Sequence, residues 1–100
     1  MSAVIVRYRV KAGRAEENAE LVRGVYADLA AAQPPGFHYA TYALEDGVTF
    51  VHIAFTEDGH EVPLPQLPAF QRFQRDIAER CDERPQVTQL GEQVGAYRLP

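Results

Sequence analysis

The chain has no tryptophan, one methionine, one cysteine and one lysine among its 100 residues. A lone Cys81 cannot close an intramolecular disulfide, and its place in a helical pattern reads as a small buried apolar side chain. With Lys11 the only lysine, the positive charge rests on nine arginines scattered among acids, giving a net charge of -4. Proteins that track phosphates cluster their basic residues, so nucleic acid is not an expected partner. No apolar run approaches the roughly 20 residues that span a bilayer. The longest, Val48 to Phe55, is interrupted by His52, and Arg7 and Arg9 cut the N-terminal run too short for a signal-peptide core. No membrane association is expected, and a cytoplasmic location is the default. His38, His52, His60 and Cys81 lack metal-ligand spacing, and the chain has no Gly-rich phosphate loop, nucleophile elbow or dinucleotide fingerprint. Neither a metal nor an organic cofactor is expected.

What is present suits one compact domain over residues 1–100: 46% of the residues are hydrophobic and 24% charged. Residues 3–10 alternate as a strand, with Val4, Val6, Tyr8 and Val10 on one face and Ile5, Arg7 and Arg9 on the other. Leu21, Val22, Val25, Tyr26 and Leu29 recur at helical spacing, and Pro34-Pro35-Gly36 ends that helix. Gly24 inside it suggests a close contact between helix and sheet. Phe37 to Leu44 and Val48 to Phe55 read as an antiparallel hairpin turning at Glu45-Asp46-Gly47. Prolines 63, 65 and 68 make residues 57–68 a stiff loop, expected to cover the mouth of any pocket and to contribute little to stability. Phe70, Phe73, Ile77 and Cys81 define a second amphipathic helix, and Val87 to Leu99 a final extended stretch bent at Gly91 and Gly95. The order βαββαβ is that of a ferredoxin-like α+β fold, an antiparallel sheet with two helices on one face. Its other face, carrying Ile5, Arg7 and Arg9, calls for a partner, and a homodimer is expected.

Val4 to Gly13, Pro35-Gly36-Phe37, Phe50-Val51-His52-Ile53 and Leu67-Pro68-Ala69-Phe70 occur in this order over nearly the whole chain. Together they resemble the antibiotic biosynthesis monooxygenase superfamily. The resemblance implies a dimeric α+β barrel and, among the activities found there, cofactor-independent oxygenation of aromatic or quinol compounds. It argues against the haem-degrading branch, whose Asn, Trp and His fall at or near Val6, Thr56 and Gln74 here. A Glu that many members carry is Ala54 in this chain.

Among the residues themselves, His52 stands out because an imidazole inside an apolar strand needs a hydrogen-bond partner if buried. It is either a general base for a phenolic substrate or a core histidine satisfied by a neighbouring Tyr or carbonyl, neutral in both cases. Tyr8, His38, Tyr39 and Tyr42, with Phe50, Phe70 and Phe73, are candidates to contact a small aromatic ligand, or else simply suit a half-buried sheet. Arg7 and Arg9 fit an interface or a solvated face. Two functions follow: a cofactor-independent monooxygenase of small aromatic or quinone-like compounds, and a non-catalytic dimer that binds such a ligand. A cavity of a few hundred Å³ reaching His52 favours the first and a filled core the second.

Overall fold

The computed structural model describes residues 1–99. Strand β1 (Ser2–Val10) leads into helix α1 (Ala15–Ala32), strands β2 (Phe37–Ala43) and β3 (Thr49–Thr56), a single 3-10 turn at Leu64–Gln66, helices α2 (Pro68–Arg75) and α3 (Ile77–Arg80), and strand β4 (Cys81–Leu90). The four strands form one antiparallel sheet in the order β2-β3-β1-β4, a ferredoxin-like α+β fold.

Local chemistry places each element. Asp46 fixes the hairpin: its Oδ1 accepts the Val48 and Thr49 amide N–H groups at 2.9 and 2.8 Å, and Gly47 supplies the left-handed backbone at φ 76°. Helix α1 carries Glu16 and Glu17 in its first turn, where the helix dipole favours negative charge. It closes on Gln33 at φ 46°, whose N–H returns to the Leu29 carbonyl. Gly24 does face a neighbour, but that neighbour is α2 and not the sheet, since a Cβ there would lie 3.6 Å from Ala69 Cβ. Asp28 of α1 ties the same two helices by accepting the Ala69 N–H at 2.9 Å, which satisfies a donor in the first turn of α2.

Alternation along the strands then sorts the side chains. Tyr8, Val10 and Phe50 face the helices and pack with Val22 and Val25 of α1 and Ala69 and Phe73 of α2. Ile5, Val51, Ile53 and Phe55 alternate to the face that no helix covers and are only half-buried, with Arg7 and Arg9 exposed beside them.

Beyond Gly24, the sequence expectations fail at three places. The second helix does not run on to Cys81: the backbone leaves helical geometry at Asp76 (φ -120°, ψ 23°), α3 makes one turn, and Cys81 begins β4. Its burial satisfies the same apolar spacing from within a strand. β4 therefore starts six residues before Val87 and stops at Leu90, leaving Gly91 and Gly95 in the non-strand stretch beyond it. The charges and proline of Cys81–Leu90 concealed a strand because it lies at the sheet edge, where a missing N–H and solvated charges are tolerated. The loop is also more than a cover. Leu64 and Leu67 belong to the core, 7% and 8% exposed, whereas Val62 is 46% exposed. Leu64→Ala and Leu67→Ala are expected to lower the unfolding free energy in urea by roughly 2–5 kcal/mol each. Val62→Ala should change it by less than about 0.5 kcal/mol.

Candidate functional site

Position 52 of β3 lies between two strands, opposite Val6 of β1 and Thr41 of β2, so the His52 side chain sits at the centre of the helix-covered face. It is 4% exposed. Both ring nitrogens are hydrogen-bonded within the protein: Nε2 lies 2.8 Å from the Tyr8 hydroxyl, and Nδ1 lies 2.7 Å from the Tyr39 hydroxyl and 3.0 Å from Thr41 Oγ1. Thr41 Oγ1 in turn lies 2.8 Å from the Tyr26 hydroxyl of α1.

The network continues inward. Asn18, fully buried on α1, donates its amide N–H to the Tyr8 hydroxyl at 2.9 Å. Arg80 of α3 donates Nε–H to Asn18 Oδ1 at 3.2 Å and an Nη2–H to the Phe73 carbonyl at 2.8 Å, and its guanidinium stands 5.3 Å from the Phe73 ring centre. The Phe73 carbonyl belongs to the last turn of α2, where carbonyls lack helical partners, so Arg80 satisfies the helix end as it crosses it. Arg80 is 1% exposed and forms no ion pair among the described residues.

Burial governs the protonation of this cluster. Desolvation lowers the His52 pKa to about 4, so the ring is neutral at physiological pH. Burial also raises the Tyr8 and Tyr39 hydroxyls well above the ordinary tyrosine value; at Tyr8 the Asn18 hydrogen bond and the Arg80 charge oppose that rise without cancelling it.

A cavity of about 280 Å³ opens beside the cluster. Val4, Val6, Tyr8, Tyr39, His52 and Ala54 form its sheet side, Phe70, Phe73, Gln74 and Ile77 its helix side, and Val62, Leu64, Pro85 and Val87 its rim. Among the described residues no charged side chain lines it. A groove of about 350 Å³ between α1 and β2 is larger but more open, with Tyr39 as the wall shared by the two. The less open cavity is the better candidate, because buried polar groups converge on an apolar space there.

The structure brings His52, Tyr8, Tyr39, Phe70 and Phe73 together around this cavity. Phe50 stands one layer back, stacked on Tyr8 with ring centres 5.6 Å apart, and does not line it. His38 and Tyr42 do not join. The pairing of Thr41 with His52 puts residues 39 and 41 on the helix side of β2 and 38 and 42 on the bare side. There His38 Nε2 meets Glu57 Oε2 at 2.8 Å, and Tyr42 is 60% exposed. Sequence reasoning missed Asn18, Thr41, Tyr26 and Arg80. Asn18 left a trace, an amide in step with Val22 and Val25 on the buried stripe of α1; an Arg in a last helical turn ordinarily reads as solvated, so Arg80 left none.

Solved structures share this fold. A Nitrosomonas europaea protein provisionally assigned as an antibiotic biosynthesis monooxygenase superposes with a TM-score of 0.72 at 17% identity, over 93% of this chain and 90% of that one. A second Nitrosomonas europaea protein, NE2512, of unknown function, gives 0.71 at 19% identity over 99% and 93%. SnoaB, a cofactor-independent oxygenase from Streptomyces nogalater, gives 0.63 at 16% identity over 95% and 97%. No protein-family model and no curated protein sequence matches the chain.

The neutral His52 makes stability depend on pH. Its folded pKa of about 4 lies below the ordinary 6.5, so between these values the unfolded chain binds more protons than the folded one. Stability is full above about pH 6.5 and falls as the pH drops toward 4. Urea unfolding at pH 7.5 and pH 5 is expected to differ by roughly 2 kcal/mol more in the native protein than in a His52→Gln variant. Equal pH dependence in the two proteins would contradict a buried neutral ring.

Proposed function

We propose, from the fold shared with antibiotic biosynthesis monooxygenases, that the chain is a cofactor-independent monooxygenase of a small aromatic or quinol-type compound, working as a homodimer. The observation that carries the reading is the apolar cavity of about 280 Å³ with His52, Tyr8 and Tyr39 on one wall. In such chemistry an electron-rich substrate reduces dioxygen itself: a phenol and dioxygen give a quinone and water, one oxygen atom entering the ring and the other leaving as water. The protein's part is to hold the ring against Phe70 and Phe73, exclude water, and hydrogen-bond the substrate oxygen. At about 280 Å³ the cavity sits at the small end of ligand sites, which favours a compact ring system over a long polyketide.

A specific observation favours the second reading, a non-catalytic ligand-binding dimer of the same fold. Both His52 nitrogens are engaged inside the protein, and a group with a pKa of about 4 is a weak proton acceptor at neutral pH. His52 therefore does not act as a free base toward substrate in either reading; its effect passes through the tyrosine hydroxyls.

The dimer rests on the half-buried apolar row Ile5, Val51, Ile53 and Phe55, which no helix covers. A face-to-face pairing of sheets would bury it, and an interface of about 1,600 Å² or more holds at micromolar concentration. Sedimentation velocity at that concentration is expected to give a dimer for the native chain and a monomer for Ile53→Glu.

Oxygen consumption separates the two functions. With a panel of phenols and quinols as probes, the native protein is expected to accelerate oxygen uptake at least tenfold over buffer with at least one of them. Saturable binding without uptake would establish the ligand-binding protein instead.

A further inference from the structure

The protons on the sheet wall of the cavity are already given to other groups of the protein. A guanidinium can donate but never accept, so the Asn18 atom facing Arg80 Nε at 3.2 Å is the amide oxygen, and the Asn18 NH₂ faces Tyr8 at 2.9 Å. The Tyr8 oxygen therefore accepts from Asn18, and its proton goes to His52 Nε2 at 2.8 Å. The neutral ring then holds its proton on Nδ1, which faces the Tyr39 hydroxyl at 2.7 Å and Thr41 Oγ1 at 3.0 Å. Tyr39 also has the Thr41 side chain as a partner, and Thr41 carries the chain on to the Tyr26 hydroxyl at 2.8 Å. Tyr26 borders the groove between α1 and β2 and not the cavity. Tyr8, Tyr39 and His52 thus hold no uncommitted donor for a ligand. Gln74 of α2 is the other polar side chain of the lining, an uncharged amide exposed to solvent.

Charge is missing from the lining as well. Arg72 and Arg75 of α2, Glu79 of α3, Asp82, Glu83 and Arg84 of β4 and Glu61 of the loop are exposed, and none of them lines the cavity. Arg80 is buried, but it too stands outside the lining, 5.3 Å from the Phe73 ring centre, with donors spent on Asn18 and on the Phe73 carbonyl. We propose that the cavity takes its aromatic ligand with the proton still on it, a neutral phenol or quinol, in preference to a phenolate or to any ring bearing a carboxylate or phosphate. The inference rests on the cavity being an aromatic-ligand site and names the charge state that this site accepts. An oxyanion placed there would give up its hydration and gain neither a cation nor a free donor of the sheet wall in return, whereas a neutral ring has little hydration to lose. The wall carries two phenols of its own, and burial makes both Tyr8 and Tyr39 hold their protons more tightly than in water. Tyr8 does so although the Arg80 charge opposes the shift. A ligand phenol enters the same low-dielectric space.

The test uses the intact protein and 4-nitrophenol, which ionises near neutral pH and whose anion is read by visible absorption. Methyl NMR shifts of Val4, Ile77 and Val87, all in the lining, locate the bound ring. Titrated from about pH 6 to about pH 9, the bound probe is expected to ionise at least about one pH unit above the free probe, a tenfold preference for the neutral form. The affinity for 4-nitroanisole, which has no proton to lose, should stay constant over the same range. Gln74→Lys, a change at an exposed position that sets a cation on the lining, should bring the ionisation of the bound probe back to or below that of the free one. A bound probe that moves the three methyls and ionises at or below the pH of the free probe would overturn the proposal and leave the aromatic-ligand site standing. An upward shift that survives unchanged in Gln74→Lys would likewise overturn it, since the uncharged lining would not be its cause. If neither probe moves the three methyls, the aromatic-ligand reading fails and this inference fails with it.

Discussion

Arg80 is a permanent cation, 1% exposed, with no carboxylate partner among the described residues. A charge so placed is costly unless neutral dipoles surround it in good geometry. The Phe73 carbonyl, the Phe73 ring face and the Asn18 amide oxygen supply them, and each comes from an element that must be held in one position to do so. The guanidinium is met where α2 stops and α3 makes a single turn, opposite Asn18 on the stripe of α1 otherwise given to Val22 and Val25. Asn18 is then the link from the cation to Tyr8, and Tyr8 the link to His52. Removing Arg80 would leave a run of buried polar groups with no anchored end, which costs more than any one of their hydrogen bonds contributes.

The same arrangement keeps the cavity open. Polar side chains directed at one another across β1, β2 and β3 cannot collapse into the space as aliphatic ones would, and Phe70 and Phe73 hold the helix side at a distance. The stacked rings of Phe50, Tyr8 and His52 brace the sheet side, with neighbouring ring centres 5.6 and 5.3 Å apart. The outcome is a small apolar chamber with a structured polar patch on its sheet wall.

How much of this was legible in the sequence follows from which residues obey a period. Strict alternation in residues 3–10 placed Tyr8 on the covered face, and Asp46-Gly47 marked the hairpin; both are local signals and both hold. The covered face of His52 was read correctly for the same reason. His38 and Tyr42 fall on the other face because the pairing of two strands does not by itself fix which residue opposes which, and a period of two makes that choice decisive. The helix drawn through Cys81 failed because apolar spacing does not distinguish a helix that continues from one that hands the next buried position to a strand. β4 was hidden by its edge location, where sequence pressure on strands is weakest. Arg80 was invisible in principle, since its role depends on contacts with residues 62 and 7 positions away along the chain.

A crystal of the protein soaked with a small quinol or phenol tests the central claim most directly, that the cavity beside His52 is the site for a flat aromatic ring. The account predicts ligand density between the sheet and α2, with the ring against Phe70 and Phe73. Density on the bare face of the sheet or in the groove between α1 and β2, with the chamber beside His52 vacant, would contradict it.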